Sequence, residues 1–149
     1  MKLMVLDSDR LRTGLNRDLG FHADDRAENV SRVGEVAALL VDTRMIAIVA
    51  LISLFREGRS VARLAPRDAF HEIYVEADRA VCEARDPKGL YRRARRGEIA
   101  EFTGISSPYE PPERAELVVD SAQLDAESAI ELVAVHVKAC VTLDSSQHS

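Results

Sequence analysis

The sequence has only two cysteines, Cys82 and Cys140, and they lie far apart. Their separation fits neither the short ligand spacings of a zinc site nor a dense disulfide framework, so it predicts a protein of the reducing cytoplasm. Long apolar runs are also missing. The longest, residues 45–54, is about half of what a membrane-spanning helix needs, and residues 1–7 are too short for a signal peptide. We therefore expect no membrane partner.

Positive charge is not in excess, because the formal net charge is −5 at pH 7. An acidic balance argues against non-specific binding to DNA or RNA, so we expect no nucleic-acid partner and only a local anion site. The 149 residues, 46% of them hydrophobic, are enough to bury the core of one domain. We predict a single domain over residues 1–143 and a disordered polar tail over residues 144–149.

Short apolar segments alternate along the chain with segments of helical periodicity. Strands are predicted at residues 3–7, 45–52, 71–76 and 117–120, and helices at 25–42, 56–64, 78–85 and 126–138. The second strand should be buried on both faces, and Asp24 or Asp25 should cap the first helix. This order indicates an α/β domain with a parallel sheet and flanking helices, whose ligands bind beyond the carboxyl ends of the strands.

Charged residues follow the first predicted strand. In extended chain the carboxylates of Asp7 and Asp9 point to the same side, and together with Arg10 and Arg12 they could hold a metal-linked phosphate and a hydroxyl. The alternative is a polar turn with local ion pairs.

Arg26 falls on the apolar stripe of its helix, where an unpaired arginine is almost never buried. We expect it at the lip of a cleft, binding an anion at the helix N-terminus together with Asn29. The alternative is an internal salt bridge to Asp7, Asp9 or Asp25.

Ser53 ends the most apolar strand, so its hydroxyl should emerge at the ligand edge of the sheet. No Gly-x-Ser-x-Gly turn surrounds it, which argues against a hydrolase triad. Between residues 85 and 96 there are six basic residues and one acidic residue, and a long loop follows over residues 102–112. Together these segments suit a lid that closes on phosphates; the alternative is a solvated helix and a surface loop.

Five segments, taken in order, resemble the adenylylsulfate (APS) kinase family over residues 3–135. Residues 7–21 correspond to D-G-D-N-x-R-x-G-L-N-x-D-L-G-F, residues 25–32 to D-R-x-E-N-x-R-R, and residues 52–53 to the I-S-P turn. Residues 82–91 correspond to C-E-x-R-D-P-K-G-L-Y, and residues 97–110 to the lid signature. Each fragment is modest, but their joint order and spacing are specific.

The resemblance implies a P-loop nucleoside-triphosphate-hydrolase-like fold and transfer of the ATP γ-phosphoryl group to the 3′-hydroxyl of APS. The product would be 3′-phosphoadenylylsulfate, an intermediate of sulfate assimilation. The implied cofactor is Mg²⁺ with ATP, and the implied partners are APS and ATP. A homodimer and a link to ATP sulfurylase are further partner hypotheses.

By the same resemblance, Asp7 would be the base for the 3′-hydroxyl or a partner of Mg²⁺. Ser53 would be either a phosphoserine intermediate or a ligand in direct in-line transfer. Six residues would shape the APS site: Arg12, Phe21, Arg26, Asn29, Ile52 and Phe102. Arg12 and Phe102 would enclose the adenine between them. Lys88 would contact phosphates from the lid, with Arg92 and Arg95 as further contacts.

One departure from the family is large. The family begins with a strand, a G-x-x-x-x-G-K-[ST] phosphate loop and a helix, and no such loop occurs in the 149 residues. We expect the family fold without these elements, including a strand that would lie centrally between those ending at Ser53 and Glu76. Kinase activity should then be impaired. The alternatives are an inactive module that binds APS or its phosphorylated product, and a gene fragment without function.

Overall fold

The computed structural model describes residues 2–65 and 69–146. The elements in chain order are β1 (Lys2–Asp7), α1 (Ser8–Arg12), α2 (Ala23–Asp42), β2 (Met45–Ala50), α3 (Arg56–Leu64), β3 (Ile73–Glu76), α4 (Arg79–Arg85), α5 (Leu90–Arg95), β4 (Leu117–Asp120) and α6 (Ala126–Ser146). The predicted α/β class is confirmed. The chain divides into two compact units, one of Met1–Phe70 with Gly97–Pro111 and one of His71–Arg96 with Pro112–Ser149.

In the first unit, β1 and β2 are parallel and fully in register, so that Asp7 lies beside Ala50 at their carboxyl ends. Helix α2 packs on one face of this pair, and Leu6, Val33 and Ala37 form the buried core between them. Helix α3 then packs closely on α2. A Cβ added at Gly34 would lie 3.4 Å from the Cα of Ala62, so the glycine allows this close approach.

The other face of the β1–β2 pair is open. Leu3, Val5 and Ile48 share that face by register, and between 37% and 48% of each remains exposed. The prediction that residues 45–52 are buried on both faces is therefore wrong for this chain. The physical reason is that α2 covers only one face of a strand pair whose side chains alternate between two.

In the second unit, β3 and β4 are parallel, with Ile73 beside Leu117 and Glu76 beside Asp120. Val119 is only 1% exposed, and α6 packs against its strand. Helix α5 begins where the carboxylate of Asp86 accepts hydrogen bonds from the backbone N–H groups of Tyr91 and Arg92, at 3.0 and 3.1 Å. This contact satisfies donors that the first turn of the helix leaves unpaired.

The described residues form two separate two-stranded sheets, β1–β2 and β3–β4. The resemblance places a further strand between the strands that end near Ser53 and Glu76, and that strand is not among these residues.

Some predicted boundaries also change. The cap position of α2 is His22 rather than Asp24 or Asp25, which lie in the first turn, where the helix dipole favours acidic side chains. Helix α6 continues to Ser146, through part of the predicted tail, because no glycine or proline interrupts residues 138–146; residues 147–149 lie outside the described part. Among the described helices, none is long and apolar enough to cross a membrane.

Candidate active site

A cleft of about 650 Å³ opens beyond the carboxyl ends of β1 and β2, between the start of α2 and the start of α3. This volume lies within the usual range of small-molecule sites. Seven of the candidate site residues named from the sequence line it: Asp9, Arg12, Phe21, Arg26, Asn29, Ile52 and Ser53. Asp7 immediately precedes the lining residue Ser8, whereas Phe102 and Lys88 are outside the lining.

Asp7 and Ser53 emerge at the same edge of the sheet, because Asp7 is paired with Ala50 and Ser53 follows three residues later. The Asp7 carboxylate accepts a hydrogen bond of 3.0 Å from the backbone N–H of Arg10 and thereby caps α1. Asp9 lies in the first turn of that short helix, which the sequence did not predict. The arrangement expected from extended chain, with both carboxylates on one side, therefore does not form.

Two substitutions of Asp7 should distinguish the stability that comes from helix capping from the stability that comes from its negative charge. Asp7→Ala should lower the free energy of unfolding by about 1 kcal/mol, whereas Asp7→Asn should stay within a few tenths, because asparagine caps helices about as well as aspartate. Urea denaturation of the two variants provides the measurement. Equal destabilisation by both would show that the charge, rather than the cap, stabilises this turn.

Phe21 is 56% exposed, and two arginines lie close to its ring. The guanidinium carbons of Arg12 and Arg26 are 4.4 and 5.4 Å from its ring centroid. Arg12 donates hydrogen bonds to the carbonyls of Leu19 and Gly20, at 3.2 and 2.9 Å. Its position is therefore held by the loop that leads into α2.

Arg26 anchors the same aromatic ring from the first turn of α2. It donates to the carbonyl of Phe21 at 2.7 Å and to the carbonyl of Glu101 at 2.9 Å. Within residues 2–65 and 69–146, neither Arg26 nor Arg12 is within ion-pair distance of a carboxylate, so the internal salt bridge proposed as the alternative is not found. Partial burial lowers the pKa of Arg26, and the positive charge of Arg12 lowers it further. A bound anion would relieve both effects.

Asn29 is buried at the back of the cleft, one turn after Arg26. Its Oδ1 accepts a hydrogen bond of 2.9 Å from Nδ2 of Asn16, which is fully buried. Among the described residues the Oδ1 of Asn16 has no partner. Sequence reasoning did not single out Asn16, although it lies inside the first matched segment, and the buried asparagine pair is the feature that fixes the position of the Asn29 side chain.

Ser53 has a backbone φ of +47°, a conformation that a residue with a Cβ adopts at a cost. Arg59 of α3 holds it there by donating to the Ser53 carbonyl at 2.6 Å and to the Glu110 carbonyl at 2.7 Å. The Glu110 carboxylate in turn accepts from the backbone N–H of Arg56 at 2.8 Å. Arg59 was not among the residues predicted for the site. Its partner Glu110, at the end of the lid signature, is the part of this contact that lies in a matched segment.

The remaining predicted residues are placed differently. Phe102 belongs to the first unit, where its carbonyl accepts hydrogen bonds from the N–H groups of residues 105–107. Lys88 is exposed between α4 and α5 in the second unit. In that unit Arg95 is bound by the Glu83 carboxylate, at 2.8 and 3.0 Å. The basic run and the long loop, which were read together as a lid, thus fall in different units.

A family model for adenylylsulphate kinase matches residues 1–120. The chain belongs to the adenylylsulfate kinase family. An adenylyl-sulfate kinase of Bacillus licheniformis is 52% identical over 138 residues, which are 92% of this chain and 70% of that protein. A probable adenylyl-sulfate kinase of Bacillus subtilis is 56% identical over 128 residues, which are 85% of this chain and 65% of that protein. The chain thus spans about two thirds of the length of these curated relatives.

Solved structures of adenylylsulfate kinases share the fold. The Mycobacterium tuberculosis enzyme in complex with AMPPNP and APS superposes with a TM-score of 0.83 at 45% identity, over 89% of this chain and 79% of that one. A hexameric APS kinase from Thiobacillus denitrificans gives a TM-score of 0.65 at 28% identity, over 92% of this chain and 22% of that one. The resemblance drawn from the matched segments and the P-loop kinase fold are therefore confirmed.

Proposed function

We propose that the cleft binds adenylylsulfate as the phosphoryl acceptor of an adenylylsulfate kinase reaction. The observation that carries this proposal is the exposed ring of Phe21 beside the guanidiniums of Arg12 and Arg26, neither of which has a carboxylate partner among the described residues. An aromatic face suits a purine base, and a pair of half-buried cations suits the phosphosulfate anion. The family supplies the reaction, which is transfer of the ATP γ-phosphoryl group to the 3′-hydroxyl.

Each residue of the cleft then has a role that its position supports. Arg26 binds the anion where the start of α2 adds the positive end of the helix dipole. Asn29, fixed by Asn16, offers its amide to the bound nucleotide. Asp7, at the same sheet edge, accepts the proton of the attacking hydroxyl or holds Mg²⁺ through its carboxylate. Ser53 either binds the transferred group or accepts it; both alternatives stay open.

The residues of this chain do not fit ATP as well as they fit the acceptor. ATP needs a cradle of backbone N–H groups, a lysine on the β- and γ-phosphates and a hydroxyl on Mg²⁺. The sequence has no G-x-x-x-x-G-K-[ST] loop to supply them. We therefore assign the acceptor half of the site to these residues, whereas Mg²⁺ and ATP belong to the proposal by family alone. The family is likewise the only support for a cytoplasmic location, a homodimer and a link to ATP sulfurylase.

Calorimetric titration of the 149-residue chain with adenylylsulfate and with Mg²⁺-ATP tests whether the chain binds the acceptor much more tightly than the phosphoryl donor. We expect adenylylsulfate to bind and Mg²⁺-ATP to bind at least about 100-fold more weakly, because a phosphoryl cradle contributes several charge-assisted hydrogen bonds of roughly 1.5–3 kcal/mol each. Tight binding of Mg²⁺-ATP, or turnover comparable to that of a complete kinase, would contradict the expectation that these residues bind ATP weakly. If the folded chain bound neither nucleotide, the proposed site would be wrong.

The second candidate function is an adenylylsulfate-binding module that transfers no phosphoryl group. The geometry of the cleft favours it, because the residues proposed to bind the acceptor come together without any contribution from a phosphate loop. A chain that binds adenylylsulfate yet forms no phosphorylated product, even at saturating ATP, would support this candidate over the kinase.

A further inference from the structure

Three side chains of types that bind metal ions meet in the second unit. His71 precedes β3, and His136 and Cys140 lie four residues apart on α6, a spacing that places both on one face of the helix. His71 Nδ1 and His136 Nε2 are 3.2 Å apart, and Cys140 Sγ is 3.6 Å from each of them. The three ligand atoms therefore form a nearly isosceles triangle.

The dimensions of this triangle match those of a tetrahedral zinc site. With Zn–N bonds of about 2.05 Å and Zn–S bonds of about 2.3 Å, tetrahedral angles place two nitrogens about 3.3 Å apart and a nitrogen and a sulfur about 3.6 Å apart. The observed separations of 3.2, 3.6 and 3.6 Å agree with these values. A single hydrogen bond between the two imidazoles would account for the first distance but would not require the sulfur to be equidistant from both nitrogens.

We propose that His71, His136 and Cys140 bind one Zn²⁺ ion, whose fourth position is open to water. Two imidazole nitrogens and one thiolate are the donors that zinc prefers, whereas Mg²⁺ and Ca²⁺ take oxygen ligands. His71 is exposed, which gives the ion an entry path, while His136 and Cys140 are partly buried. The cluster is built from the C-terminal helix and the segment before β3, so the ion ties α6 to the β3–β4 sheet.

Zinc affinity of the full chain, measured by competition with a coloured chelator, tests the proposal. We expect one ion per chain in the wild type and a loss on the order of 100-fold or more in Cys140→Ser, since even indirect partners of a metal ligand change affinity by about 10–100-fold. Cys82→Ser is the matched control and should bind zinc as the wild type does.

Two further measurements distinguish a lost ligand from a damaged fold. Because His71 lies outside α6, its replacement should not disturb that helix. The His71→Ala variant should therefore lose zinc affinity while its circular dichroism spectrum without metal stays that of the wild type. Cobalt in place of zinc should give a thiolate charge-transfer band in the wild type and in Cys82→Ser, but not in Cys140→Ser. The proposal is overturned if the wild type binds no zinc, or if Cys140→Ser and His71→Ala bind it as tightly as the control.

Discussion

Replacing Arg26 with alanine should weaken adenylylsulfate binding by about 1–3 kcal/mol, which is roughly 5- to 150-fold in the dissociation constant. The substitution removes a partly buried cation from the lip of the cleft. It also removes the two hydrogen bonds that Arg26 donates to the carbonyls of Phe21 and Glu101. The aromatic ring loses one of its two flanking guanidiniums, and the anion loses the charge at the start of α2. Calorimetry on the folded variant measures the effect.

The matched control for this prediction lies on the same helix. Arg32 is also an α2 arginine, but it is bound by the carboxylates of Glu28 and Asp18, at 2.7 and 2.9 Å, and does not line the cleft. Arg32→Ala should leave the affinity for adenylylsulfate unchanged. If both variants lost the same affinity, the effect would come from α2 as a whole, and the anion-binding role of Arg26 would be wrong.

Replacing Arg59 with alanine should lower the free energy of unfolding by about 2–3 kcal/mol, because hydrogen bonds to charged groups contribute roughly 1.5–3 kcal/mol each and are not fully additive. The guanidinium is the shared donor of two partly buried carbonyls, those of Ser53 and Glu110. Without the Arg59 guanidinium, this contact no longer offsets the energetic cost of the positive φ of Ser53. Chemical denaturation measures the loss.

Two comparisons sharpen the Arg59 prediction. Arg59→Lys keeps the charge but lacks the planar fork that reaches two carbonyls at once, so it should recover only part of the stability. Arg63→Ala, on the same helix, removes a guanidinium 4.6 Å from the ring centroid of Phe70 and should cost about 0.5–1 kcal/mol. Equal losses in Arg59→Ala and Arg63→Ala would mean that the Ser53 contact adds no stability.

Local pattern was enough to predict most of the fold. The apolar run before Asp7, the periodicity that ends at Asp42 and the α3 segment 56–64 all form the elements expected of them. Each signal is local, since apolar spacing reports which face of an element avoids water. The start of α2 and the end of α6 were wrong because caps and final turns depend on backbone geometry that composition does not specify.

The candidate site was only partly predictable. Arg26 was singled out because a cation on an apolar stripe needs a special environment, and the structure places it in the cleft. Its partners could not be foreseen, since they are carbonyl groups of Phe21 and Glu101, and every residue has a carbonyl. Phe102 was expected to enclose adenine with Arg12, yet Phe21 holds the position against Arg12 in this structure. The adenine contact of Phe102 therefore stays a prediction.

By itself, the sequence determined the family, the four strands, the longer helices and several of the residues that line the cleft, because matched segments and apolar periodicity are properties of neighbouring residues. Only the tertiary structure decided which distant groups meet. It placed Arg59 on the carbonyl of Ser53, buried Asn16 against Asn29, and brought His71 to His136 and Cys140, 65 and 69 residues away. Such contacts depend on how helices pack on strands, and no spacing along the chain encodes that packing.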